Sequence, residues 1–106
     1  MITLVFYMKD GKCCGFHSKG HAEYAKKGHD DIVCAGISAL VINCVNSIEK
    51  FTEDRADIEK ASDGSVFCMV KSPVSMQSEL LLNSLRLGVT DIANEYRRNV
   101  RIVEEE

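Results

Sequence analysis

Two Asp-Gly pairs, Asp10-Gly11 and Asp63-Gly64, constrain this chain most strongly, because each sits between two runs with the alternation of β-strands. Both residue types accept the positive φ that a tight hairpin turn demands, so an Asp-Gly flanked by alternating segments predicts a β-hairpin. In the first unit Ile2, Leu4, Phe6 and Met8 alternate with Thr3, Val5 and Tyr7, giving a strand over 2–8 and its partner over Lys12 to Lys19. In the second unit, strands are predicted at Asp57 to Ala61 and Ser65 to Lys71. There Val66, Cys68 and Val70 oppose Phe67 and Met69, and apolar residues on both faces predict an interior strand.

Each hairpin is followed by a segment of helical period. Val33, Ile37, Leu40, Val41, Cys44, Ile48 and Phe51 recur at helical spacing and predict a helix over Asp31 to Phe51, with Asp30 or Asp31 as its N-cap. Pro73 stops the preceding strand, and Ser72 or Ser75 caps a second helix. That helix carries Leu81, Leu82, Leu85, Val89, Ile92, Ala93 and Tyr96 and is expected to end near Arg98. Val100 to Val103 add a short edge strand. The order ββαββα, plus that last strand, is an α+β fold: a mixed, mostly antiparallel sheet of four to five strands with two helices packed on it. The 106 residues form one domain, 1–106. The second face of the sheet then needs cover, from polar side chains or from a second subunit, and its apolar positions point to a homodimer.

Composition narrows the function. With 45% hydrophobic and 27% charged residues and one proline, the chain can fill a core and is not of a disordered type. The N-terminal MITLVFYMKD lacks the basic flank and cleavage site of a signal peptide, and no window approaches the about 18 apolar residues of a membrane span, so a cytoplasmic protein without membrane contact is expected. The net charge of −3 and scattered basic residues give no footprint for direct nucleic-acid binding, and Glu104 to Glu106 read as a solvated end. Five cysteines without an export signal read as reduced thiols. Cys13, Cys14, His17 and His21 superficially mimic a metal site, but on a strand Cys13 and His17 are roughly 13 Å apart, too far to share a zinc. No metal and no cofactor is assigned.

The chemistry concentrates in Gly20 to Ser38, where a polar segment holding His21 and His29 runs into the apolar helix that carries Cys34. A thiol in the first turn of a helix sits near unpaired N–H groups and the positive end of the macrodipole, which favours the thiolate. An imidazole titrates near neutrality and exchanges a proton with a thiol, so either histidine is a candidate base. Cys34 falls at the border of the helix's buried stripe with Ser38 one turn further on. Ser38 either hydrogen-bonds back to the Cys34 carbonyl or touches substrate. Asp31 serves as helix cap or orients a histidine. Cys13, Cys14, Cys44 and Cys68 read as structural, and His17 as a half-buried strand residue.

These residues also resemble a known family. Gly20-His21-Ala22, then Asp31-Ile32-Val33-Cys34-Ala35 with Ser38-Ala39, are similar to the signature of the ribosomal-processing cysteine proteases. Val45, Asn46, Ile48, the Asp57-Ile58 strand start, the Asp63-Gly64 turn and Ile92 to Tyr96 extend the resemblance over essentially the whole chain. The resemblance implies a cytoplasmic, homodimeric cysteine endopeptidase that removes the N-terminal extension of a large-subunit ribosomal protein, cutting after a phenylalanine. It implies His21 as catalytic histidine and Cys34 as nucleophile, with Asp31 and Ser38 in supporting positions. Two other classes compete on the residues alone: a non-catalytic module that binds a ribosomal protein or assembly factor with Cys34 buried, and a redox sensor, for which no C-x-x-C supplies a resolving thiol.

Overall fold

The computed structural model describes the backbone of residues 1–20 and 29–106, and side chains at 1–20 and 32–106. Its elements run β1 (Ile2–Lys9), β2 (Lys12–Lys19), α1 (His29–Phe51), β3 (Ala56–Lys60), β4 (Val66–Val70), α2 (Met76–Glu95) and β5 (Val100–Glu105). The strands form one open five-stranded sheet in the order β3-β4-β2-β1-β5. All neighbours are antiparallel except β1 and β5, which are parallel and start with Ile2 opposite Val100. The mixed α+β architecture is the expected one, and β4 lies inside the sheet as its two apolar faces require.

The first turn follows from its sequence. Asp10 (φ 53°) and Gly11 (φ 78°) both take the left-handed conformation of a two-residue hairpin turn and close the Lys9–Lys12 pair. One device was not visible in the alternation. Tyr7 pairs with Gly15 but Met8 pairs with Cys13, so Cys14 is an extra residue in β2. This β-bulge reverses the facing of everything before it, and so Cys13 joins Phe16 and Ser18 on the core face instead of His17 on the other.

Both helices cover the face bearing Ile2, Leu4, Phe6 and Met8 of β1, and Val66, Cys68 and Val70 of β4. From α1 come Val33, Ile37, Val41, Cys44, Val45 and Ile48, and from α2 Leu82, Leu85 and Val89. Two positions of the predicted α1 stripe differ: Leu40 is half-buried and Phe51, the last helical residue, is 71% exposed. The segment Ile32–Phe51 does reach a mean hydropathy of 1.7, enough by length and composition for a membrane span. Its apolar surplus is that of a core helix, since Val33, Ile37, Val41, Cys44, Val45 and Ile48 all belong to the buried core.

Ser75, rather than Ser72, caps α2: its hydroxyl oxygen accepts from the Ser78 N–H (3.1 Å). The cap is itself held by Asp54, whose carboxylate accepts from the Ser75 hydroxyl (2.6 Å) and N–H (3.1 Å). These bonds, that of the Ser75 hydroxyl foremost, keep the Asp54 carboxyl below its usual range. Helix α2 ends at the Tyr96 cap, before Arg98, because the chain must turn there: Asn99 N–H donates to Tyr96 O (2.9 Å) and Ile2 N–H to Asn99 O (2.8 Å). That turn delivers β5 into register with β1. The acidic end is therefore not simply solvated; Glu104 and Glu105 belong to β5, and Glu104 pairs with Arg86 of α2.

The other face carries Val5, Tyr7, His17, Phe67 and Met69, which lie outside the core that the two helices cover. Phe67 sits edge-on to Tyr7 (centroids 6.1 Å) and to His17 (5.7 Å), an aromatic cluster partly shielded by its own members.

Candidate active site

Cys34 is the sixth residue of α1 and so lies in its second turn, two residues further in than the sequence predicts, because the helix begins at His29 and not at Asp31. For the same reason Asp30 and Asp31, the two expected N-caps, are the second and third residues of the helix.

The thiol is half-buried against the core cluster and opens on a cavity of about 280 Å³. Among the described residues, three parts of the chain build that cavity. Helix α1 gives Cys34, Ile37 and Ser38; the strand ends give Ile2 of β1, Ser18 of β2 and Gly20; the β3–β4 turn gives Ser62, Asp63 and Gly64. Ser38 is exposed one turn beyond Cys34 and shares its cavity, as the helical spacing predicts. His21 falls outside the described residues, as do Ala22 and the rest of 21–28.

Gly20 explains why the segment holding His21 leaves β2 where it does. It has φ 71°, and a Cβ there would stand 2.5 Å from the Met1 carbonyl oxygen. Only glycine lets the chain turn left-handed this close to the start of β1. The glycine before His21 is thus a backbone requirement of the cavity wall.

The other cysteines differ in kind. Burial pushes the Cys44 thiol up to about 12 and the Cys68 thiol up to about 11, with neighbouring thiols adding to the first and Glu49 to the second. Burial also raises Cys13. These three are protonated packing residues at neutral pH, as expected, and Cys44 donates to Leu81 O (3.7 Å) between the helices. The Cys14 thiol donates to Tyr7 O (3.3 Å) at the bulge. Cys34 lies on an α-helix at a cavity, whereas Cys14 lines a separate one from β2.

The comparison with known proteins follows the same residues. The family model described as Cysteine protease Prp matches residues 1–101. The chain belongs to the Prp cysteine protease family. Its relatives include the ribosomal processing cysteine protease Prp of Staphylococcus aureus, 34% identical over 104 residues that cover 96% of this chain and 97% of that one. The Bacillus subtilis protein of the same name is 29% identical over 93 residues, 82% of this chain and 81% of its own. Among solved structures, S. aureus Prp with a substrate peptide superposes with a TM-score of 0.90 at 31% identity, covering 99% of this chain and all (100%) of that one. The same protease with a covalently linked product peptide gives 0.88 at 32%, with coverage of 99% and 100%. A cysteine protease fold and class are therefore established for this Prp-family chain, which decides against the binding module and the redox sensor.

Sequence reasoning identified Cys34 and Ser38 as neighbours but missed Ser18, Ser62 and Asp63 as parts of their surroundings. Ser18 carried no signal beyond being a polar residue at an inward strand position. The Asp63-Gly64 pair stood out only as a turn.

Proposed function

We propose that Cys34 is the nucleophile and His21 the general base of an endopeptidase that removes the N-terminal extension of a large-subunit ribosomal protein. The observation that carries this reading is the half-buried Cys34 thiol at a cavity walled by Gly20, the residue directly before His21. The family relatives, named for ribosomal processing, supply the substrate class.

In this mechanism His21 takes the Cys34 proton and the sulfur attacks the carbonyl carbon, giving a tetrahedral intermediate. Backbone N–H groups in the first turn of α1 hold the developing oxyanion, each of a kind worth about 2.7–4 kcal/mol where measured. Collapse breaks the C–N bond, the amine leaves with the proton held by His21, and water attacks the thioester to release the acid and restore the thiol. Asp31 and Ser38 act as supporting residues: Asp31 by its charge in the first helical turn, Ser38 as a hydroxyl in the cavity. The reaction needs no metal or cofactor.

The protein works in the cytoplasm, where its ribosomal substrate is made, as a homodimer. The second apolar sheet face around Tyr7, Phe67 and Met69, outside the core that the described helices cover, supports pairing of two copies. The deciding experiment is cleavage of a peptide spanning the extended ribosomal protein's N-terminal junction, read by mass. Wild type cuts it; Cys34→Ala and His21→Ala do not. Binding without cutting by wild type would refute the proposal.

A further inference from the structure

We propose that Ser18, a buried residue in the wall of the Cys34 cavity, is a specificity-determining residue that hydrogen-bonds a hydroxyl carried on an apolar substrate side chain beside the cleaved bond. This inference rests on the protease reading of that cavity. Among the described residues two polar side chains are buried, Ser18 and Ser78. The Ser78 hydroxyl donates to the Thr52 hydroxyl oxygen (3.5 Å). Ser18 is 8% exposed, yet its hydroxyl makes no hydrogen bond to a described residue. Among the described residues no fully enclosed side-chain polar atom lacks a partner, so the Ser18 oxygen keeps an open side. The Cys34 cavity is a space that Ser18 lines.

Sheet register puts this hydroxyl in apolar company. Ser18 pairs with Leu4 of β1 and Val66 of β4, both buried, and shares the cavity wall with Ile2 and Ile37, each 2% exposed. A hydroxyl kept there without a partner costs free energy that an alanine would not. A bound group that pairs with it removes that cost, which points to a ligand and not to the fold. The nature of the ligand follows from depth and surroundings. A peptide backbone across the mouth of the cavity does not reach a group nine-tenths buried, whereas a side chain does. The stem of that side chain meets Ile2 and Ile37 and is apolar. Its tip is uncharged, because a single hydroxyl does not repay the desolvation of an ion. A carboxamide brings two donors and an oxygen acceptor and leaves most of them unpaired; a hydroxyl matches a hydroxyl, since each both donates and accepts. Tyrosine or threonine therefore fits better than phenylalanine or valine.

The test uses fluorescein-labelled junction peptides in which each of the three positions on either side of the cleaved bond carries in turn phenylalanine or tyrosine, and valine or threonine. Affinity is measured by anisotropy on the Cys34→Ala protein, and kcat/KM on wild type. At one position the hydroxyl-bearing member should bind about two- to tenfold more tightly than its apolar counterpart. Adding Ser18→Ala should reverse that preference, because the substrate hydroxyl then enters the cavity unpaired. The same substitution in the peptide-free protein should leave the urea midpoint no lower than that of wild type, since no bond within the fold is lost. A hydroxyl preference that survives Ser18→Ala, none at any position, or a lowered midpoint in peptide-free Ser18→Ala overturns the proposal. If wild type fails to cut while the Ser18-dependent preference remains in binding, the protease reading falls and the selectivity of the cavity stands.

Discussion

Replacing Gly20 by alanine should damage stability and activity together, because one backbone position serves both. At φ 71° a non-glycine residue carries about 1–2 kcal/mol of left-handed strain. The new methyl would also stand 2.5 Å from the Met1 carbonyl oxygen, where ordinary contacts begin at 3.4 Å. The atom it meets is backbone, so the start of β1 or the end of β2 must move by about 0.9 Å, adding about 1 kcal/mol by analogy with other locally strained sites. The sum, about 2–3 kcal/mol, corresponds to a fall in Tm of about 10–15 °C for a domain of this size. Gly20→Asn separates the two causes: asparagine tolerates positive φ but keeps the Cβ, so a milder Asn effect assigns the damage to φ and an equal one to the close contact. The assay is urea unfolding of the three proteins with peptide cleavage measured alongside. A Gly20→Ala protein within 0.5 kcal/mol of wild type would refute the reasoning.

Two further predictions concern titration. Ser75→Ala removes the α2 cap and the donor that lowers Asp54, and should destabilise by about 1 kcal/mol in urea unfolding at pH 7. Because the folded-state pKa of Asp54 is depressed, its contribution is present above the ordinary carboxylate pKa and is lost as pH falls below about 4; the variant should show less acid sensitivity there than wild type. At the alkaline end the sign is the same in logic and opposite in direction. Folded Cys44 and Cys68 hold their protons up to about 12 and about 11, whereas unfolded thiols lose theirs near 9. Stability should therefore fall as pH rises above about 9, and Cys44→Val should make that slope shallower.

The parts of this molecule that were legible in its sequence are those fixed by local rules. Asp10-Gly11 specified its turn because both residues must take positive φ, and the α1 stripe from Val33 to Ile48 specified a face because helical spacing is regular. What escaped depends on partners distant in sequence. The Cys14 bulge is set by pairing with β1, and nothing in the local pattern of β2 marks it. Phe51 fits the helical stripe yet is exposed, since helical spacing fixes a face and not what packs against it. The site follows the same division: Cys34 and Ser38 share a helix face and could be placed together, whereas Ser18 and Asp63 reach them only through the register of β1, β2 and β4. The two-residue misplacement of Cys34 within the helix arose at the helix start, where three acidic or imidazole residues in a row, His29, Asp30 and Asp31, offer several capping positions.

The central claim is that Cys34 is the nucleophile, and the most direct measurement is limited alkylation of the folded wild-type protein with iodoacetamide, followed by peptide mapping and residual cleavage. One adduct per chain, on Cys34, should remove all cleavage of the junction peptide while Cys13, Cys44 and Cys68 stay unlabelled. Full activity with Cys34 alkylated, or loss of activity with the label elsewhere, would contradict the account.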